Sequence, residues 1–382
     1  MILCNFRNIR PRHNITQQDI LSWLALAHAR AERQQSNEAS ESEEAFLERI
    51  QHLIKRYGCS PDRIETRGAE ISDFTHTNWD QMELFHYSDS PYGPTMSQRS
   101  SRFKEATALV CQILFPETMT APDHIIHVTC TGYISPSCVQ VRVAQNRWHE
   151  TTTVTHAYHM GCNAALPAIR MAEGFLAKSN RADIFHTELC SLHVQVQNHS
   201  PEQLVVQSLF ADGFITYSAL RSIYDPGAIG AGLEAISLHE ELIPETADAI
   251  TWECSEWGMR MGLSLKVPGV IADALLAFVK RLCLRGGISY EEIYQQSIFA
   301  VHPGGPKIID QVQTRLGLDD DQLAASRLIL KTCGNMSSAT LPHIWEKIVA
   351  DENIAANTFV ISLAFGPGLC ISGALLRKVI NS

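Results

Sequence analysis

The sequence predicts an α/β layered architecture made of two related halves, and three observations carry that prediction. Short apolar runs stop abruptly at small or polar residues: HIIHVTCTG (124–132), VTHAYHMGC (154–162), ADIFHTELC (182–190), SIFAVHPGG (297–305) and FVISLAFGPG (359–368). Runs of this length, rich in β-formers and apolar on both faces, suit buried central strands. Helical patterns alternate with them, including NAALPAIRMAEGFLAKS, VIADALLAFVKRLCLRG and KIIDQVQTRLGL, and such alternation builds α/β layers. In each half a buried strand runs into a reactive residue at a glycine-containing turn and a helix follows, as HAYHMGCNAALPAIRMA and as IFAVHPGGPKIIDQV. The halves are placed at 1–222 and 223–382.

Ahead of that alternation, residues 15–35 carry apolar positions at helical spacing and predict an amphipathic helix. Residues 36–45 (SNEASESEEA) are acidic and serine-rich and read as an exposed connection, leading into a helix, AFLERIQHLIKRYG, that Gly58 ends. Residues 70–100 mix aromatics with Asp, Ser, Pro and Gly and read as irregular.

With 382 residues, 45% hydrophobic and 19% charged, the chain can bury a core without staples. No run approaches the roughly 20 apolar residues of a membrane helix, and MILCNFRNIRPRH lacks a signal-peptide pattern. The 11 cysteines are odd in number, irregularly spaced and free of CxxC pairs. Free thiols in a reducing, cytoplasmic setting are therefore expected, without a structural metal. A net charge of −10 opposes general nucleic-acid binding, which needs a basic face.

Three residues stand out for chemistry. Cys162 follows Gly161 and precedes a long apolar helix with Pro167 in its first turns. A thiol at a helix start is favoured as thiolate, although an isolated cysteine is more often buried and inert. His302 ends a strand and opens HPGGPKIID; Gly304 and Gly305 permit close approach of a ligand, and Pro306 suits a helix start. Asn335, in CGNMSSAT, would by itself pass for an N-cap. The loop AFGPGL (364–369) lacks the Lys-Ser/Thr sequel of a phosphate loop. His156 and His159 have no carboxylate at supporting spacing, so no metal is expected.

Together, GC at 161–162, HPGGPKIID at 302–310, GNMSSAT at 334–340 and FGPG at 365–368 resemble the type III polyketide synthases, the chalcone-synthase-like family. CTGYISPS (130–137) and QSLFADG (207–213) support the resemblance, which covers about residues 120–370; CTGY and MGC look more like the bacterial members, among them alkylpyrone and alkylresorcinol synthases. The resemblance implies a thiolase fold, a five-layered αβαβα core and an intimate homodimer. It implies that Cys162 takes an acyl starter as thioester, that His302 pairs with the thiolate, and that Asn335 with His302 binds the thioester carbonyl oxygen. Acyl-coenzyme A or an acyl-carrier-protein thioester and malonyl-coenzyme A would be substrates, with no cofactor.

The resemblance also places Cys130, Thr131, Cys190, His193, Gly304, Ser337 and the loop Phe365, Gly366, Pro367 and Gly368 on the substrate wall, with Phe210 where the coenzyme A tunnel meets the cavity. Lys55 or Arg56, with Arg49 nearby, would contact coenzyme A phosphates. Two departures from the plant pattern stand out. Gly262 or Leu263 falls where a second gatekeeper phenylalanine would stand, and Ser135 falls at the cross-dimer methionine. Lost bulk there predicts an altered or larger cavity, open to a fatty acyl starter. The expected reaction is iterative condensation to an alkylpyrone or alkylresorcinol. A ketoacyl synthase III-like enzyme making one condensation is the alternative, and a non-catalytic binding subunit a third reading.

Overall fold

The computed structural model describes residues 1–35, 42–87, 90, 92–223, 225 and 227–380; most of the acidic connection at 36–45 lies outside them. The elements are β1 (Ile2–Ile9), β2 (His13–Thr16), α1 (Gln17–Gln35), α2 (Glu43–Tyr57), β3 (Thr66–Ala69), α3 (Met96–Leu114), β4 (His124–Thr129), α4 (Cys138–Gln145), β5 (Thr153–Tyr158), α5 (Ala165–Leu176), β6 (Arg181–Leu189), α6 (Pro201–Leu209) and β7 (Asp212–Leu220). There follow β8 (Ala231–Leu242), β9 (Ile250–Ser255), β10 (Gly258–Leu263), α7 (Val267–Arg285), α8 (Tyr290–Ile293), β11 (Ile298–Val301), α9 (Pro306–Leu316), α10 (Ala324–Cys333), α11 (Thr340–Ala350), β12 (Phe359–Gly366) and β13 (Cys370–Ile380).

Nine strands join in the order β11-β12-β13-β8-β1-β7-β6-β4-β5. The order reads the same outward from the β1–β8 seam. Each seam strand meets an antiparallel neighbour (β7 or β13), then a second antiparallel strand (β6 or β12), then a parallel one (β4 or β11). The seam itself is short, with Ile2 opposite Glu234 and Leu3 opposite Leu233.

Alternate strand residues divide between two packing layers, as period-2 geometry requires. Ile184 and Val360 face the layer of α5 and α11. Their neighbours Phe185 and Ile361 face away, towards α1–α4 in the first half and α7, α9 and α10 in the second. Two half-sheets therefore sandwich α5 and α11, and outer helices cover both sides, giving five layers. The sandwiched position explains why α5 (ALPAIRMAEGFL) is apolar almost all round. Each central helix also touches a strand of the opposite half, α5 with β13 and α11 with β7.

The structure corrects the pairing of the halves made from sequence. Cys130 follows β4 as His302 follows β11, and the Cys162 turn matches the segment before α11. Side by side, Cys-Asn-Ala-Ala-Leu-Pro (162–167) and Ser-Ser-Ala-Thr-Leu-Pro (337–342) lead into the two central helices. Shared glycines had suggested pairing Cys162 with His302; strand order shows otherwise. Residues 70–100 are also less irregular than expected. Short 3-10 turns occupy Ser72–Thr75 and Trp79–Gln81, and α3 starts at Met96 on a capping box made by Thr95 and Gln98. β5, expected as a central strand, is an edge strand whose residues are mostly half-exposed or exposed. No described helix is long and apolar enough to cross a membrane.

Candidate active site

One cavity lies where the two halves meet, and Cys162, His302 and Asn335 all line it. The cysteine stands three residues ahead of α5 on a turn that Gly161 enables. Gly161 has φ +84°, and a Cβ there would stand 2.2 Å from Pro367 Cδ of the FGPG loop. Only glycine permits both the left-handed turn and that approach. The Gly161 N–H donates to Cys130 Sγ at 3.1 Å, and the Cys162 thiol donates to Ser337 Oγ at 3.9 Å.

His302 is anchored through its backbone, its N–H donating to Leu363 O at 2.8 Å. Neither ring nitrogen has a hydrogen-bond partner among the described residues, although the side chain is buried. Asn335 is held more completely. Its N–H donates to Leu209 O and its carbonyl accepts from Ala211 N–H, tying it to α6 and β7. Its Oδ1 accepts from Ser337 N–H at 2.9 Å and from Thr340 Oγ1 at 3.4 Å. Those donors fix the amide orientation and leave Nδ2 buried and unpartnered. Buried polar atoms without partners are uncommon. Here three of them, two from His302 and one from Asn335, belong to residues that line one cavity with Cys162.

Burial sets the charge of the pair. It pushes the Cys162 thiol up to about 12, Ser337 pulling the other way and Glu188 adding to the rise. It pushes His302 down to about 3. Burial thus opposes the eased thiolate expected at a helix start and favours thiol and neutral imidazole in the resting protein.

The cavity wall collects most of the residues expected there. Cys130, Thr131, Cys190, His193, Phe210, Leu263, Gly304, Ser337, Phe365, Gly366 and Pro367 line it; Gly368 does not. His193 is fixed as a neutral ring. Its Nε2–H donates to Thr131 O at 2.8 Å, its Nδ1 accepts Met259 N–H at 3.1 Å, and burial pushes it down to about 3. Residues that sequence reasoning missed include Trp252, Met259 and Met261 on the β9–β10 hairpin, whose alternation with exposed neighbours was a readable period-2 signal. Glu188, buried behind Cys130 and Thr131, carried no such signal.

Comparison with known proteins decides the family. Residues 234–380 match the family model described as chalcone and stilbene synthases, C-terminal domain. A Mycobacterium tuberculosis protein named alpha-pyrone synthesis polyketide synthase-like Pks18 is 26% identical over 373 residues, 93% of this chain and 90% of that protein. A Dictyostelium discoideum protein named probable polyketide synthase 1 is 30% identical over 269 residues; the match takes in 67% of this chain and only 8% of that much longer protein. The crystal structure of the C-terminal type III polyketide synthase domain of Steely1, a Dictyostelium type I/III hybrid, superposes with a TM-score of 0.80 at 23% identity, covering 99% of both chains. The chain belongs to the type III polyketide synthases. The fold is accordingly the thiolase-like α/β fold, in a family of acyltransferases.

Against that family pattern the structure corrects several expected positions. Gly262 pairs with Thr251 across the hairpin, and a Cβ there would meet Thr251 Oγ1 at 2.4 Å, so its side faces away from the cavity. Met261 and Leu263 face inward instead, and Trp252 adds an indole whose Nε1–H donates to Cys130 O at 2.7 Å. The expected loss of bulk is thus offset by three large side chains of this type III synthase. Ser135 is solvent-exposed and does not reach the chain's own cavity. Lys55 and Arg56 occupy the last turn of α2 outside the lining; Arg56 lies over the Tyr57 ring at 5.2 Å and Arg49 over Phe46 at 4.4 Å. Cys59, just beyond that turn, donates its N–H to Ser208 Oγ at 2.8 Å, so α2 ends against α6, which supplies Val206 and Phe210 to the cavity.

Proposed function

We propose that this type III synthase loads a fatty acyl group onto Cys162 and extends it iteratively with malonyl-coenzyme A, closing the chain to an alkylpyrone or alkylresorcinol. The observation that carries this reading is the trio of unpartnered buried nitrogens, His302 Nδ1, His302 Nε2 and Asn335 Nδ2, on residues that line one cavity with Cys162.

Loading begins as His302 takes the Cys162 proton and the sulfur attacks the acyl thioester, forming the Cys162 acyl thioester as the donor's carbon–sulfur bond breaks and coenzyme A leaves as thiolate. The neutral resting pair suits this step, because charge appears on both partners together and only with substrate present. Malonyl decarboxylation releases carbon dioxide and leaves an enolate, whose oxygen needs preorganised donors. Asn335 Nδ2 and a protonated His302 supply them. The enolate carbon then bonds to the acyl carbonyl, expelling the Cys162 thiolate for another round.

Apolar side chains from both halves line the cavity and support a fatty acyl starter: Ile20, Leu24 and Phe74 from the first, Val267 and Ile271 from the second. The M. tuberculosis relative's name favours a pyrone. Coenzyme A is the proposed thioester carrier, its phosphates met by Lys55 and Arg56, and the working unit is a homodimer. Exposed Leu109 and Ile113 on α3, Tyr133 and Val141 support a second copy on that side, next to edge strand β5.

Mass spectrometry of products from malonyl-coenzyme A and acyl-coenzymes A of graded length tests the reading, beside a Cys162→Ala control. Cyclised products with several added two-carbon units, absent from the control, are expected. A single-extension β-ketoacyl product would replace the reading with a one-step ketoacyl synthase.

A further inference from the structure

The β9–β10 hairpin forms part of the cavity wall, yet among the described residues only β9 pairs with β10. In that pairing Met259 stands opposite Cys254, Met261 opposite Trp252 and Leu263 opposite Ile250. Alternate residues of an edge strand aim their backbone N–H and C=O groups away from the partner strand. Away from water, such groups need other partners. On β10 the partners are side chains. Met259 N–H donates to His193 Nδ1 at 3.1 Å, and Met259 O accepts Gln195 Nε2–H at 3.1 Å. Met261 O accepts Gln203 Nε2–H at 2.7 Å, and Leu263 N–H donates to Glu202 Oε1. Four side chains thus stand in for a further strand. Met259, Met261 and Leu263 also line the cavity. Each bond therefore fixes how far one cavity side chain reaches inward.

The two ends of this row are held differently. His193 and Gln195 lie on the segment after β6, whose carbonyls a buried guanidinium grips: Arg99 donates to Leu192 O, and to Val194 O at 3.3 Å. Near the hairpin tip, a Cβ on Gly258 would stand 3.2 Å from Arg99 Nε and 3.3 Å from Gln195 Nε2, so the tip packs directly on that segment. The base of β10 is fastened instead by two neighbours in the first turn of α6, Glu202 and Gln203.

The start of α6 departs from the other capped helices in a telling way. Ser200 and Gln203 have the spacing of a capping box, as do Thr95 with Gln98 and Ser137 with Gln140. In the latter two the glutamine turns back on its own helix. Gln98 Oε1 accepts Thr95 N–H at 2.8 Å, and Gln140 Oε1 accepts Ser137 N–H at 3.0 Å. At α6 only half of the box forms. Ser200 Oγ accepts Gln203 N–H at 3.4 Å, but Ser200 N–H donates to Asn198 Oδ1 at 3.0 Å. The Gln203 amide crosses instead to Met261, 58 residues away, whose carbonyl fixes Nε2 as the facing atom.

We propose that Glu202 and Gln203 are positioning residues that set how deeply β10 enters the cavity, and through it the length of acyl starter that Cys162 accepts. The proposal rests on the fatty acyl reading above. Gln203 lines the cavity, but its amide nitrogen is engaged on Met261 O, so it acts on the starter through Met261. Glu202 stands outside the lining and acts through Leu263, with a carboxylate oxygen strengthening the bond. The two positions make opposite demands: residue 203 must donate and residue 202 must accept.

Those opposite demands supply the test. Glu202→Gln keeps an accepting oxygen, whereas Gln203→Glu keeps the size of the side chain and loses the donor. Both are compared with wild type, Glu202→Leu, Met261→Ala, and Gln203→Glu combined with Met261→Ala. Three quantities are read: acyl loading of Cys162 by intact mass, kcat/KM for octanoyl- and palmitoyl-coenzyme A, and melting temperature. Gln203→Glu is expected to raise the palmitoyl-to-octanoyl ratio by about tenfold as Met261 draws back, with a smaller rise in Glu202→Leu. Glu202→Gln stays within about twofold of wild type. Adding Gln203→Glu to Met261→Ala changes the ratio by less than about twofold, because the side chain through which Gln203 acts is already gone. Unmoved ratios in Gln203→Glu and Glu202→Leu, with only a lower melting temperature, would make both residues supports of the helix start and overturn the proposal. Full additivity in the combined variant would put Gln203 in direct contact with the starter and overturn it too, as would a shift in Glu202→Gln equal to that in Glu202→Leu. A wild-type protein that loads neither acyl group overturns the fatty acyl reading itself, whereas loading with unmoved ratios overturns this proposal alone.

Discussion

The two halves share a strand order yet present opposite chemistry at matching places. Cys130 and His302 each follow the strand parallel to its neighbour, β4 or β11. The first is committed, its sulfur accepting the Gly161 N–H; the second keeps both nitrogens unpartnered. Ahead of the central helices, Cys162 matches Ser337, and the two side chains face each other at 3.9 Å. The thiol comes from one half, and the unpartnered nitrogen groups come from the other. A duplicated frame thus leaves each half free to specialise, because neither needs to hold the whole reaction.

Breaking the division is the sharpest way to test it. Asn335→Ala removes a donor aimed at the developing enolate and is expected to lower condensation by about 10²–10³-fold, measured as product formed per loaded enzyme. Ser337→Ala, at the position matching the nucleophile, is expected to cost less than about tenfold in the same assay. Equal losses would erase the distinction between donor and bystander. The resting charge state gives a second test. A thiol held near 12 by burial is mostly protonated at neutrality. Alkylation of Cys162 by iodoacetamide, followed by peptide mass spectrometry, should therefore rise about tenfold per pH unit from 7 to 9. A plateau beginning below pH 7 would mean a standing thiolate–imidazolium pair. The smallest effect belongs to the hairpin that closes the cavity. Trp252→Ala should move the preferred starter to longer chains and change kcat/KM by up to about tenfold, the scale of pocket-volume effects. An unmoved preference would place the length limit elsewhere on the wall, where Ile20 and Phe74 also line the cavity.

Much of the site was legible because its residues sit at strand ends and helix starts, where local sequence carries geometry. His302 before Pro-Gly-Gly-Pro and Cys162 after Gly161 are of this kind, and five strands announced themselves as apolar runs. What was missed depends on partners far along the chain. β1 reads NFRN in its middle, yet it forms the seam through β7 and β8, more than two hundred residues away. β8 carries LHEEL and is only half-buried, so neither apolar runs nor clean alternation marks it. Glu188 and His186 lie inside a buried strand, and their partners Ser338 and Tyr217 are far along the chain. The inward faces of Met261 and Leu263 follow from hairpin register, which a one-residue slip reverses. That slip is what made Gly262 look like a cavity position.

The contact between Gly161 and Pro367 has a consequence for how the molecule is made. The turn that shapes the nucleophile packs on a loop that leaves the ribosome roughly two hundred residues later, a delay of on the order of ten seconds or more at ordinary rates of synthesis. Throughout that interval the thiol lacks a complete cavity, and for most of it the imidazole of His302 and the amide of Asn335 have not been made. A nascent chain cut short before β12 carries the cysteine but no shaped site around it. Reactivity towards thioesters therefore arrives only once β12 and the loop after it have been made, which keeps half-made chains from capturing acyl groups they could not use.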